Sequence, residues 1–281
     1  MIASIADRDV VEVSGPDASS YLQGQISQDV DRIGVDESAW SLILAPTGKL
    51  TAWFRLHRVA HDRFYIDLET GWAVPLVERL ERFKLRTAVD FSILEGWRML
   101  SLRTENTAPV TEPEVNEPTQ GPPVEAALTA TFRWPGFAGT DHLDAGLDIP
   151  GGIDIDDRAF EEARIRAAVP KLGADIGENT IPAEGGANLI EQSVSFTKGC
   201  YTGQELVARI DSRGGNVPRP LRLLIAEGTL EAGAAVTFDG RESGVVTSAA
   251  ANAGLAALMR KVEPGSVVSV DGIKATVQAP S

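Results

Sequence analysis

Short apolar runs punctuated by turn residues dominate the first hundred positions. Val10-Val11-Glu12-Val13 predicts a short strand, and Ser14-Gly15-Pro16 then opens a helix on which Ala18, Leu22, Gln25 and Ile26 recur at helical spacing. Asp29 follows just past its end. Trp40 to Leu44 and Leu50 to Ala60 predict strands joined by the turn Pro46-Thr47-Gly48-Lys49, and His61-Asp62 turns the chain into Phe64 to Leu68. Those three strands make an antiparallel meander. Val77, Leu80, Phe83 and Lys84 mark an amphipathic helix. Trp97 to Leu102 and Leu128 to Trp134 predict two more strands. Between them, Thr104 to Pro123 is rich in Pro, Glu and Thr. That stretch buries too little to offset its ordering entropy and predicts a flexible loop. Asp156 to Ala168 predicts a helix with its acids early and Arg164 and Arg166 late, as the helix dipole favours, and Pro170 ends it.

After Pro218 the texture changes. Leu221 to Ala226, Ala234 to Phe238, Gly244 to Ser248, Val267 to Val270 and Ala275 to Gln278 alternate with Gly, Asp and Pro turns. This predicts a small antiparallel barrel. The expected division is an α/β region over 1–217 and a barrel over 218–281.

Composition narrows the function. The chain has 281 residues, 43% of them hydrophobic, with no apolar run near the roughly 20 residues that span a bilayer. Acid and base at Asp7 and Arg8 come too early for a secretory leader, so the expected location is the cytoplasm. A net charge of −14 argues against broad nucleic-acid binding. Yet Lys198 to Arg222 carries five cations and only two acids, Glu205 and Asp211, a local field that could draw a small anion.

The chemistry concentrates in Lys198-Gly199-Cys200-Tyr201-Thr202-Gly203-Gln204-Glu205, which holds the one cysteine of the chain. A lone cysteine excludes an intrachain disulfide and an all-cysteine zinc site. Gly199 and Gly203 permit a tight turn that exposes the sulfur, and Lys198 beside it would favour the thiolate. The alternative is an inert buried residue. His57 and His61 are four apart, but on strand and turn rather than helix, so no metal site is expected. Glu184, in Ile181-Pro182-Ala183-Glu184-Gly185-Gly186, offers a carboxylate on a stiff loop that would suit the N–H edge of a heterocycle; otherwise it is an ordinary loop acid. Downstream arginines would meet a ligand's carboxylates, and Trp53, Phe54, Phe196 and Tyr201 could wall a flat ring. Together these describe a folate.

Lys198 to Glu205 resembles the KGCYxGQE signature of the YgfZ-type folate-binding proteins, a family that includes mitochondrial iron–sulfur assembly factors. Flanking segments are similar as well: Ala163-Arg164-Ile165, Val169-Pro170, Gly173-Ala174-Asp175-Ile176 and Pro182-Ala183-Glu184 before the signature, Val207-Ala208-Arg209 and Arg213-Gly214 after it. Tyr21 to Val30 resembles the opening shared with the glycine-cleavage T-protein, and Pro46 to Lys49 matches its hairpin turn. The resemblance implies an α+β, T-protein-like architecture of interleaved lobes around a central channel, plus a C-terminal barrel. It implies tetrahydrofolate or a one-carbon derivative as ligand and iron–sulfur client or assembly proteins as partners, with effects on tRNA modification. Cys200 becomes the functional thiol with Lys198 as its neighbour. Glu184, Arg209, Arg213, Tyr201, Asp29 and Trp53 become the folate contacts, Glu184 at the pterin edge. T-proteins also carry an aspartate on the strand after the hairpin turn. Here no acid occurs between Glu37 and Asp62, which argues against the alternative of an aminomethyltransferase or demethylase. Whether the protein turns anything over is left open. No direct nucleic-acid contact and no membrane contact are expected.

Overall fold

The structure, a computed structural model, describes residues 1–106, 123–211 and 216–278. In chain order it contains β1 (Ile2–Ser14), α1 (Ala18–Gln25), β2 (Glu37–Leu44), β3 (Leu50–Ala60), β4 (Arg63–Glu69), α2 (Ala73–Phe83), β5 (Asp90–Leu94), β6 (Arg98–Glu105), β7 (Leu128–Trp134) and β8 (Phe137–Asp144). The helices α3 (Asp157–Arg166), α4 (Ala187–Ser193) and α5 (Gln204–Asp211) follow. The last strands are β9 (Leu221–Ala226), β10 (Ala235–Phe238), β11 (Arg241–Ala250), β12 (Ala253–Leu258), β13 (Val267–Val270) and β14 (Ile273–Gln278). The fold is α+β. Among the described residues no helix is long and apolar enough to cross a membrane.

The long first strand organises the α/β part. Its half from Arg8 to Ser14 lies between β4 and β5, and its half from Ile2 to Asp7 pairs with β6. Strand order across the sheet is β2-β3-β4-β1-β6-β8-β7, antiparallel throughout. One strand therefore spans two lobes. The sequence predicts only 10–13, because Asp7, Arg8 and Asp9 break the apolar run; Arg8 is nevertheless buried against Asp67 and Glu69 of the neighbouring β4. The core packs Leu22, Ile26, Leu42, Phe54, Phe64 and Leu80 between the sheet and its helices.

Helix α3 begins one residue later than predicted, because Asp156 is its cap and accepts from the Ala159 N–H at 2.9 Å. It ends at Arg166, before Pro170, and Ala168 turns the chain away with φ +53. The loop expected over 104–123 starts inside β6, since Thr104 and Glu105 are paired, and 107–122 lie outside the described residues.

The six strands β9 to β14 close a barrel in the order β10-β11-β12-β9-β14-β13. Leu224, Val236, Val246, Leu258, Val268 and Val277 fill it. Ile165 of α3 packs on Leu221, Leu223 and Leu255 of the barrel wall. Burying such a side chain contributes about 1.5–3 kcal/mol. Two polar ties fix the same seam: Thr247 donates to Asp175 at 2.5 Å, and Arg166 to Asn252 at 2.7 Å.

Candidate functional site

Strand β3 alternates. Ala52, Phe54 and Leu56 share one face, and Trp53, Arg55 and His57 share the other. A cavity of about 350 Å³ opens where Trp53 and Arg55 point. Trp40 and Trp53 stack along one wall with ring centroids 4.4 Å apart, and Trp134 meets Phe160 edge-on at 4.9 Å on another.

The base of this cavity is a buried ionic network. Asp67 accepts from Arg8 at 2.8 Å, Arg55 at 2.9 Å and His57 Nε2 at 2.5 Å. Asp141 accepts from Arg55 and Arg103, both at 2.8 Å. Glu69 takes a second Arg8 nitrogen at 2.6 Å. Three arginines thus face three carboxylates, and the network is neutral when His57 is neutral. Burial by itself would raise the Asp67 carboxyl; Arg55, Arg8 and the His57 bond outweigh it and hold it well below the usual carboxylate range. Asp141 is likewise held down, by Arg103 and Arg55 against burial. Burial lowers the His57 pKa more than Asp67 raises it, so His57 is neutral in the fold and donates from Nε2.

These shifts set an acid dependence. All three groups have folded pKa values below their unfolded ones, so the unfolded chain binds more protons as pH falls. Their stabilisation is complete above about pH 6.5, where unfolded His57 is neutral, and is lost first through His57 and then through the carboxylates. Thermal midpoints should fall between pH 7 and 5 at constant ionic strength. His57→Gln should flatten the upper part of that slope; an unchanged slope would count against a neutral His57.

The signature segment is organised separately. Lys198 and its neighbours run between α4 and α5, and Cys200 is exposed. Lys198 does not serve the sulfur as its proximity in sequence predicts. Its Nζ donates to the carbonyls of Gln23 and Ile26 at 2.8 Å and Gln28 at 2.7 Å, which uses all three donors of an ammonium group. It also lies 5.3 Å from the Tyr201 ring centre. Burial pushes the ammonium down to about 8 against the pull of Asp29 and Asp31, and pushes the Tyr201 phenol up to about 12. Asp29 accepts from Gln23 at 2.9 Å and pairs with Arg32.

Of the two signature glycines only Gly203 is demanded by geometry. It has φ +83, and a Cβ there would lie 2.6 Å from the Ala45 carbonyl oxygen. Gly48, with φ +79, would put a Cβ 2.3 Å from that of Leu206. The hairpin turn and the signature therefore meet backbone to backbone. A Cβ on Gly199 would meet nothing within 4 Å.

Glu184 stands in a short 3₁₀ turn, Pro182–Gly185. One carboxylate oxygen accepts from the Ile181 N–H and the other from the Arg219 N–H, both at 3.0 Å. It lines a second cavity of about 680 Å³, between this turn, α4, α5 and the start of the barrel. The expected site residues thus fall into three places. Asp29, Lys198 and Tyr201 gather around the Cys200 loop, Trp53 lines the central cavity, and Glu184 lines the second one. Cys200 and Lys198 line neither cavity. Arg209 is exposed in the last turn of α5, and Arg213 lies outside the described residues. Sequence reasoning missed Arg8, Arg55, Asp67, Arg103 and Asp141. The available signal was Arg55 and His57, two polar residues on one face of β3.

No family model matches the chain. It is similar to the tRNA-modifying protein YgfZ of Cronobacter sakazakii, with 26% identity over 230 residues, 76% of this chain and 68% of that protein. It is 25% identical over 266 residues to the mitochondrial iron–sulfur cluster assembly factor IBA57 homolog of Chaetomium globosum, covering 85% of this chain and 60% of that relative. The glycine cleavage system aminomethyltransferase T from Bartonella henselae superposes with a TM-score of 0.70 at 17% identity, over 99% of this chain and 86% of that one. The chain is a relative of proteins that carry the YgfZ and IBA57 names, as the signature's resemblance implied, and it has the T-protein fold.

Proposed function

We propose that this relative of the YgfZ and IBA57 proteins binds a reduced folate in its central cavity and supports the assembly or repair of iron–sulfur proteins, and through them tRNA modification. The observation that carries the ligand assignment is the pair of aromatic walls over a charge-neutral base. A flat pterin stacks on Trp53, and its polar edge finds buried donors and acceptors below. The cavity lies at the small end of the range for ligand sites, roughly 300–1,000 Å³, enough for the ring system. The anionic tail then leaves past Arg164 and Lys171. The names of the relatives support the iron–sulfur part, and the exposed Cys200 is the group through which a client protein would be met.

Aminomethyl transfer is the second reading, favoured by the fold. Against it, the two buried aspartates of the network, Asp67 and Asp141, are paired with arginines that hold their carboxyls well below the usual range, which makes them poor bases for proton abstraction. Titration with tetrahydrofolate should quench tryptophan fluorescence, because Trp40, Trp53 and Trp134 line the cavity. Trp53→Ala should weaken binding at least tenfold, about 1.4 kcal/mol or more. Glu184→Ala should lower stability and leave folate affinity unchanged, since its oxygens brace two backbone N–H groups. Equal folate affinity in wild type and Trp53→Ala would move the ligand elsewhere. Release of formaldehyde from an amine donor would reverse the order of the two readings.

A further inference from the structure

The second cavity is larger than the central one and has a different character. One side of it is aliphatic, with Ile190 from α4, Val207 and Ile210 from α5 and Leu221 from β9, Phe196 stands 53% exposed against it, and charged side chains share the lining. Of the two arginines that line it, Arg222 and Arg260, only Arg222 is partly buried. Arg222 lines the cavity from β9, and its Nε is buried with no hydrogen-bond partner. A buried donor left unsatisfied costs about 1–3 kcal/mol, so its persistence calls for an acceptor. Burial lowers the Arg222 pKa, and Glu263 only partly restores it. The remaining charges do not supply the acceptor. Both Glu184 oxygens are engaged by backbone N–H groups, and Glu191 and Glu263 are exposed.

From this we infer that the cavity is a second ligand site, for a monoanionic amphiphile whose carboxylate sits on Arg222 and whose hydrocarbon body lies along Ile190, Val207, Ile210 and Leu221. A guanidinium matches a carboxylate in a two-bond fork. Single charge follows from the walls: Glu184, Glu191 and Glu263 outnumber Arg222 and Arg260, so one carboxylate is held locally by Arg222 and a second negative charge is repelled. Helix α5 begins within the signature and supplies Val207 and Ile210, so the occupant rests on the helix that leads out of the Cys200 loop. The inference does not depend on what the central cavity holds.

Calorimetric titration of the whole protein with octanoate, octan-1-ol and octyl phosphate tests it. Octanoate should bind one to one and saturate, at least tenfold tighter than either of the others. Arg222→Met, which keeps the apolar stem, should bring octanoate down to the level of octan-1-ol. Ile190→Trp should fill the space and abolish binding, while tetrahydrofolate affinity stays unchanged in both variants. Octanoate that never saturates, that binds Arg222→Met as tightly as wild type, or that is outbid by octyl phosphate overturns the assignment.

Discussion

Asp67→Ala is expected to lose about 3–5 kcal/mol of stability, the scale for stripping one partner from a buried ion pair. Typical domains hold only about 5–15 kcal/mol in total, so this change takes a large share. The cause is specific. Asp67 is fully buried and accepts from Arg8, Arg55 and His57, and its removal leaves two guanidinium groups inside the protein with one carboxylate partner each. A denaturant midpoint measures the loss. Lys274→Ala is the control: its pair with Glu227 is open to water on both sides, where solvent screening leaves nothing to measure. Equal midpoints for Asp67→Ala and wild type would mean that the network is not formed as described.

The second large effect is functional. Cys200→Ala should leave the denaturant midpoint within about 0.5 kcal/mol of wild type, because an exposed side chain outside both cavities has no packing to lose. Under the proposed function the same substitution abolishes support of iron–sulfur enzymes in cells that depend on this protein. Reading enzyme activity and protein level in one strain separates the two outcomes. Full activity with Cys200→Ala would remove the thiol from the proposal. A fall in protein level would assign it a structural role instead.

Much of the architecture is legible in local pattern. The meander from Trp40 to Leu68 and the barrel strands Leu221–Ala226 and Val267–Val270 follow from apolar runs bounded by turns, which depend only on neighbours in sequence. Strand β12 is missed because Ala253-Gly254-Leu255-Ala256-Ala257 has small side chains and no alternation; it is a strand because β11 and β9 flank it. Helix α4 is seven residues long, too short to show a period. At the site the division is sharper. Cys200 stands out by type alone, and it is exposed as the glycines around it predict. The ionic network is invisible because Arg8, Arg55, Asp67, Arg103 and Asp141 come from five separate strands, and only register brings them together. Lys198 shows the same limit. Next to the sulfur in sequence, it spends its charge on carbonyls from the other end of the chain.

The contact of Gly48 with the segment beyond Gly203 has a bearing on how the molecule is made. Synthesis runs from the N-terminus, so the hairpin emerges from the ribosome long before the cysteine does. The later segment meets a mould already cast, and the bare α-carbons of Gly48 in the hairpin and Gly203 in the segment are the clearance that lets it seat. A peptide cut out around the thiol would carry every atom of the signature and still lack its shape.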